Sequence, residues 1–215
     1  MKTLIAIPCM DTMPVGFVQS LLYLEKGDCS VLFKPNSLVY DSRNLISLTA
    51  IENNFDRVMW FDSDMMFQPD TLKRLHADLD DTHGAVRPQM VTGLYFKRNG
   101  ENTPVIYSEL DMPTTDENGN PVRNIQDYLW YPKDSVFTVK GCGFGCVLTS
   151  VKLLKEVWDK FGPPFAPFPW AGEDIAFCYR VNQLGYNIWC DSRVKCGHIG
   201  TYVFTEKTFR KDDAH

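Results

Sequence analysis

Asp62 and Asp64 stand one residue apart in the stretch VMWFDSDMMF, directly after four apolar residues. In extended backbone, residues i and i+2 point to the same side, so the two carboxylates can converge on one point. Unpaired carboxylates at this spacing would repel each other. A divalent cation such as Mg²⁺ or Mn²⁺ would remove the repulsion, and such ions usually share their coordination with substrate phosphates. The pair is therefore a candidate metal site for a bound diphosphate, although the same spacing also occurs in solvated loops.

A second acidic pair, Glu173 and Asp174, opens a predicted helix after the proline- and glycine-rich stretch 162–172. Acidic residues at a helix start are favoured by the helix dipole, so simple capping would explain them. A carboxylate in a pocket can also remove the proton from an attacking hydroxyl group. His198 follows in the glycine-flanked segment CGHIG, where a histidine can be structural or can bind a metal.

The elements that would position these residues alternate regularly over the first eighty residues. Short apolar runs predict strands, and apolar residues at helical spacing predict helices, in the order strand 3–8, helix 14–27, strand 29–34, helix 41–54, strand 57–61 and helix 69–79. Asp41 or Ser42 is expected to cap the second helix. Such alternation gives a parallel sheet with right-handed crossovers, and ligands bind beyond the carboxyl ends of its strands. Asp62 and Asp64 are placed there.

The second half of the chain is richer in predicted strands. Extended segments are expected at 85–98, 103–110, 134–150 and 186–191, and helices at 150–162 and 173–185. Ser150 and Gly162 have the residue types that begin and end a helix. The polar segment 111–124 is rich in turn residues and is expected to be a mobile loop.

The composition limits the classes of protein to which this chain can belong. The 215 residues carry a net charge of −5, which argues against a general nucleic-acid binder. No stretch approaches the roughly 20 apolar residues of a membrane span. Seven cysteines, an odd number, indicate free thiols in a reducing compartment, so a cytoplasmic protein is expected. The pairs Cys142/Cys146 and Cys190/Cys196 could together hold zinc, but buried thiols acting as small apolar groups are the commoner explanation.

The order of these pieces along the chain resembles the GT-A-fold nucleotide-sugar glycosyltransferases, especially the family 2-like inverting enzymes. The matching segments are LIAIP at 4–8, SRN at 42–44, WFDSDMMFQPDTL at 60–72, GCGFGCVLTSVKLLKEV at 141–157, GEDIAFCYRVNQLGYNIWCD at 172–191 and GHIG at 197–200. The resemblance implies an α/β fold of the GT-A, Rossmann-like type: a mixed, mainly parallel sheet flanked by helices, with a small β-rich C-terminal half. It implies a single domain over 1–215, with a nucleotide-binding half at 1–98 and an acceptor and catalytic half at 99–215.

The resemblance also implies a function and a role for each candidate residue. A sugar would pass from a nucleotide-diphosphate donor, with UDP-sugars favoured, to an acceptor hydroxyl of unknown class, with inversion. Asp64 and His198 would ligate Mn²⁺ or Mg²⁺, with Asp62 as a further ligand or a ribose contact. Asp174, or else Glu173, would be the general base. The remaining donor contacts would come from Pro8, Arg43, Ser63, Tyr95, Lys97 and Trp170. Strand two ends in FKPNS, without the acidic residue that reads the base in many members, so the base stays open.

Two alternatives remain. A nucleotidyltransferase of related fold would carry a glycine-rich, basic loop after the first strand, where this chain has PCMDTMPVG without lysine or arginine. A non-catalytic nucleotide- or sugar-binding module of the same fold would be favoured if Asp174 were buried in a salt bridge away from the pocket.

Overall fold

A seven-stranded mixed sheet forms the centre of the protein. The computed structural model describes residues 1–35, 37–82, 86–98, 102–200 and 203–206. Its elements follow one another as β1 (Thr3–Cys9), α1 (Val15–Tyr23), β2 (Ser30–Pro35), α2 (Val39–Glu52), β3 (Arg57–Phe61), β4 (Met65–Met66), α3 (Thr71–Asp80), β5 (Met90–Leu94), β6 (Ile106–Leu110), β7 (Thr114–Thr115), β8 (Pro121–Val122), β9 (Ile125–Asp127), β10 (Val136–Val139), β11 (Gly141–Cys142), β12 (Cys146–Ser150), α4 (Val151–Phe161), α5 (Glu173–Gln183), β13 (Ile188–Lys195), β14 (Gly197–Ile199) and β15 (Val203–Phe204).

The strand order in the large sheet is β10-β13-β5-β12-β3-β1-β2. β1 pairs with β2 and β3 in parallel, which confirms the parallel arrangement predicted for the first three strands. β12 runs antiparallel between β3 and β5, while β13 is parallel to β5 and β10 antiparallel to β13. The sheet is therefore mixed, and strands from the second half of the chain lie between and beside strands from the first.

Helices cover both faces of this sheet, which explains why its central strands β3, β5 and β12 are buried along almost their whole length. Val58 and Trp60 of β3 face one apolar core, which includes residues of α2, α4 and α5. Met59 and Phe61 alternate to the other face and pack with residues of α1 and α3. Among the described residues, no helix combines the length and the apolar character needed to cross a lipid bilayer.

Several predicted boundaries are wrong. α1 ends at Tyr23 instead of continuing to Gly27, and α2 begins at Val39 with Leu38 in the N-cap position. Asp41 and Ser42 therefore lie inside the first turn of α2; the Ser42 hydroxyl bonds the hydroxyl of Ser37 instead of capping the helix.

Other predicted boundaries are confirmed. The side chain of Ser150 accepts a hydrogen bond from Leu153 N at 3.0 Å and caps α4, which ends at Gly162 with φ +78°. By contrast, the polar segment 111–124, which was expected to be a mobile loop, contains the short antiparallel hairpin of β7 and β8.

The cysteines are free thiols, and five of the seven are buried. Cys178 and Cys142 lie side by side, with the Cys178 thiol 3.4 Å from the Cys142 carbonyl oxygen. Burial, followed by the adjacent thiol of Cys196, raises the pKa of Cys146 well above its usual range. Cys142 therefore lies next to Cys178, and Cys146 lies next to Cys196 of the other candidate pair. Within the described ranges, no group of three or more His, Cys, Asp or Glu side chains could hold a metal ion.

Asp78 on α3 and Asp191 on β13 bring two buried carboxyl groups together beside Arg193. Arg193 Nη2 lies 3.1 Å from Asp78 Oδ1, and its Nε lies 2.8 Å from Asp191 Oδ1. Burial, and then the hydrogen bond and charge of Asp191, raise the pKa of Asp78 to about 7. An aspartate in an unfolded chain has a pKa of about 3.9. Between about pH 4 and 7, the folded protein is therefore expected to hold a proton here that the unfolded chain has released.

We expect this pair to make the protein less stable as the pH rises. The folded state binds more protons than the unfolded state between about pH 4 and 7, so the free energy of unfolding falls with pH there and levels off above. Asp78→Asn removes the titrating group. It should exceed the wild type in stability near pH 8 by up to about 2 kcal/mol, and the difference should shrink towards about pH 5. Thermal unfolding at the two pH values measures this.

Asp80→Asn is the matched control on the same helix. Asp80 is paired with Arg57 and Arg87, and the bond from Arg57 lowers the pKa of Asp80. This variant should lose stability and show no gain near pH 8. An Asp78→Asn difference that is the same at both pH values would contradict a proton held by Asp78 in the folded state.

Candidate active site

A cavity of about 860 Å³ opens beyond the carboxyl ends of the parallel strands β1, β2 and β3. This is the edge of an α/β sheet at which ligands bind. The structure brings almost all of the predicted site residues to its wall: Pro8, Arg43, Asp62, Ser63, Asp64, Tyr95, Lys97, Glu173, Asp174 and His198.

Trp170 is the predicted site residue that lies away from this wall. Its ring stacks on Phe168, with centroids 5.1 Å apart and planes inclined by 12°, and meets Tyr179 edge to face. Phe168 and Tyr179 thus pack against the indole that was expected to contact the donor.

A small sheet joins His198 to the aspartate pair. The turn after β3 carries Asp62 to Asp64 and leads into β4, which pairs with β14 so that Met65 lies opposite His198. Ile199 N also donates a hydrogen bond to the carbonyl oxygen of Asp64 at 2.8 Å. This pairing brings a histidine to the aspartate turn from a distant part of the chain.

Asp64 and His198 present two metal-binding groups to each other. His198 Nε2 lies 3.5 Å from Asp64 Oδ2, and its Nδ1 lies 2.9 Å from the carbonyl oxygen of Phe96. A carbonyl only accepts, so Nδ1 carries the hydrogen and donates it; in the neutral ring, Nε2 then keeps its lone pair towards the carboxylate. Burial raises the pKa of Asp64, but the hydrogen bond and charge that His198 supplies when it is protonated, together with the charge of Arg98, lower it by more, so that it lies below its ordinary value. The group is therefore ionised near neutral pH, as a metal ligand must be.

Arg43 connects the aspartate turn to the start of α5. It is 2% exposed and forms ion pairs with Asp62, at 2.6 Å, and with Glu173. Its guanidinium also lies against the rings of Phe144 and Phe165, at 5.2 and 5.9 Å from their centroids. A buried arginine thus holds two carboxylates from distant parts of the chain in fixed positions.

Repulsion between Asp62 and Asp64 does not by itself call for a cation. Each aspartate has its own arginine, because Arg43 pairs with Asp62 and Arg98 Nη1 lies 2.8 Å from Asp64 Oδ2. Asp62 is fixed by a buried partner, so Asp64 and His198 are the candidate metal donors that face each other here. A carboxylate oxygen and an imidazole nitrogen suit Mn²⁺, and two protein donors leave room for phosphate oxygens.

Asp174 differs from Glu173 in its surroundings. Burial, and then the charge of Glu173, raise the pKa of Asp174 to about 6, although Arg43 acts in the opposite direction. Asp174 Oδ1 accepts a hydrogen bond from Ile175 N at 2.7 Å, and Asp174 makes no salt bridge with any described residue. Glu173 is held by Arg43. Asp174 is therefore the carboxylate suited to accept a proton near neutral pH.

Tyr95 and Lys97 follow β5 and line the cavity, and each side chain has a hydrogen-bond partner within the protein. The hydroxyl of Tyr95 accepts a hydrogen bond from Gly145 N at 3.1 Å, and a Cβ on Gly143 would lie 2.0 Å from that hydroxyl oxygen. Lys97 Nζ lies 2.7 Å from both carboxylate oxygens of Asp127. Gly143 therefore leaves room for the tyrosine.

Arg98 and Phe144 are among the residues of the cavity wall that were not predicted as site residues. Arg98 follows Lys97 directly, so the basic dipeptide after a strand was the available signal. Phe144 had no signal, because a phenylalanine between glycines looks like any core residue.

Comparison with known proteins shows the fold and no more. No family model and no curated protein sequence matches this chain. Among solved structures, A197 from STIV is similar with a TM-score of 0.64 at 17% sequence identity, over 93% of this chain and 86% of that one. GalNAc-T7, solved with UDP, GalNAc and Mn²⁺, is similar with a TM-score of 0.53 at 10% identity, over 93% of this chain. This chain covers 44% of GalNAc-T7.

We expect Arg43 to be the most costly single charge to remove. Arg43→Met keeps much of the side-chain volume but leaves Asp62 and Glu173 without their cation, which should lower the free energy of unfolding by about 3–5 kcal/mol. Arg74→Met is the control, because Arg74 pairs with Asp70 on the surface and should cost less than about 1 kcal/mol. Urea unfolding of both variants measures the loss in free energy of unfolding. Equal losses in the two variants would contradict the role of Arg43 as a bridge between Asp62 and Glu173.

Proposed function

We propose that this protein is a metal-dependent glycosyltransferase of the GT-A type, which moves a sugar from a nucleotide-diphosphate donor, with UDP-sugars favoured, to an acceptor hydroxyl. One observation carries the proposal: Asp64 with His198, and the carboxylate Asp174, line the same cavity at the carboxyl ends of the sheet. The fold shared with GalNAc-T7, which was solved with UDP, GalNAc and Mn²⁺, supports it.

On the donor side, Asp64 and His198 would hold Mn²⁺ or Mg²⁺ together with the diphosphate. Bound there, the metal supplies positive charge for the leaving nucleotide diphosphate. Asp62, kept in place by Arg43, would contact the ribose, and Pro8 and Ser63 would border the nucleotide. Residues 1–98 would thus bind the nucleotide, and 99–215 would add the acceptor side and His198.

On the acceptor side, Asp174 would remove the proton from the attacking hydroxyl. Glu173 would only help to position the site, because its charge is neutralised by Arg43. A direct displacement assisted by one base inverts the anomeric centre, so an inverting reaction is proposed. A nucleotide- or sugar-binding module of the same fold would need the donor site but not Asp174. The effect of replacing Asp174 therefore distinguishes a glycosyltransferase from a binding module.

The donor site predicts metal-dependent nucleotide binding. Titration calorimetry with UDP, and then with GDP, each with Mn²⁺ or with EDTA, should show binding of one nucleotide only when the metal is present. Asp64→Ala and His198→Ala should each weaken that binding by about tenfold or more, because each removes a metal donor. Asp70→Ala, which removes a carboxylate outside the cavity wall, should bind like the wild type. Failure of both nucleotides to bind with Mn²⁺ would remove the proposal.

The acceptor side predicts a pH-dependent rate. Water can replace the acceptor, so release of UDP from a UDP-sugar reports the reaction. Because Asp174 must be deprotonated to act as a base, kcat/KM should fall as the pH drops below about 6 and be level above it. Asp174→Asn should lower kcat by about 10² to 10⁴-fold while Mn²⁺-dependent UDP binding stays unchanged. Undiminished UDP release in this variant would favour a different base or a non-catalytic module.

A further inference from the structure

One carboxylate oxygen lies between two candidate partners in the donor site. Asp64 Oδ2 lies 2.8 Å from Arg98 Nη1 and 3.5 Å from His198 Nε2. Arg98 Nη1 also donates a hydrogen bond to the carbonyl oxygen of Ile199 at 3.1 Å. The guanidinium thus binds the same oxygen that faces the histidine lone pair, where a metal held by Asp64 and His198 would have to bind.

The two arginines of the aspartate turn differ in how firmly they are held. The Arg43 side chain is 3% exposed and lies between two carboxylates, whereas the Arg98 side chain is 46% exposed. Removing Arg43 from Asp62 would leave buried charges unpaired, which is costly. Arg98 can move from Asp64 into solvent at little cost, because exposed ion pairs contribute little free energy.

Arg98 also lines the cavity in which the donor would bind. A guanidinium binds phosphate oxygens in a two-pronged geometry, and a diphosphate would offer it several negative oxygens. A divalent cation and Arg98 at the same carboxylate oxygen would repel each other. A metal at this site therefore competes with the Arg98–Asp64 ion pair. A diphosphate that binds the guanidinium would remove this competition.

We infer that Arg98 is an exchangeable counter-ion of the donor site. It neutralises Asp64 while the site is free of metal, and it transfers to the diphosphate when metal and nucleotide bind together. Arg98 therefore makes the metal alone bind weakly and the metal–nucleotide complex bind tightly, a coupling that is reciprocal between the two ligands. This inference rests on the proposed function, since it needs the metal site of Asp64 and His198.

The test measures two affinities that should move in opposite directions. Mn²⁺ binding without nucleotide is followed by the electron paramagnetic resonance signal of free Mn²⁺, and UDP binding at saturating Mn²⁺ by calorimetry. Arg98→Gln should bind Mn²⁺ alone about tenfold more tightly than the wild type and bind UDP about tenfold more weakly. Arg98→Lys keeps the charge but lacks the planar guanidinium, so both of its affinities should lie between those of the wild type and those of Arg98→Gln.

Arg87→Gln controls for the loss of one positive charge, because Arg87 pairs with Asp80 outside the cavity wall. It should leave both affinities unchanged. In the double variant Asp64→Ala/Arg98→Gln, the gain in Mn²⁺ affinity should vanish. Equal or weaker Mn²⁺ binding by Arg98→Gln overturns the inference.

The outcomes separate this inference from the proposed function. If the wild type binds UDP with Mn²⁺ through Asp64 but Arg98→Gln changes neither affinity, only the role of Arg98 is wrong. If the wild type binds no Mn²⁺ even with UDP present, the proposed function fails, and the exchange of Arg98 fails with it.

Discussion

The ion pairs of Arg43 are the constraint on which the site depends. A charge buried between aromatic rings is tolerated only with its partners in place, and those partners are Asp62 after β3 and Glu173 at the start of α5. This fixes the distance between the aspartate turn and the helix that carries Asp174. It also divides the acidic residues, because Asp62 and Glu173 are bound to the buried Arg43, whereas Asp64 pairs with the exposed Arg98 and Asp174 makes no salt bridge with any described residue.

The sheet makes that arrangement possible. Because helices cover both faces, β3 is buried over its whole length and its carboxyl end emerges directly at the cavity. β12 runs back beside it, and Asp62 N donates a hydrogen bond to Gly145 O at 3.2 Å. The polar residues therefore start from backbone that is held by the sheet, and only their side chains extend into the cavity.

The sequence predicted the parts of this structure that follow from local pattern. Apolar runs located β1, β2 and β3, and the position of Asp62 and Asp64 after a strand placed them at the correct edge of the sheet. The choice between Glu173 and Asp174 could not be made, because it depends on which of them Arg43 binds. The start of α2 was also missed, since Ser42 bonds a neighbouring hydroxyl. The two-residue strand β4, which aligns His198 with the turn, is too short to show any periodicity.

The interleaved order of the sheet has a consequence for how this chain can be divided. β5 is the last strand of the first ninety-eight residues, and its neighbours on both sides, β12 and β13, come from later in the chain. A fragment ending near residue 98 would leave β5 apolar and unpaired along both edges, a state that favours aggregation. The first ninety-eight residues therefore cannot complete their part of the sheet without the strands that follow.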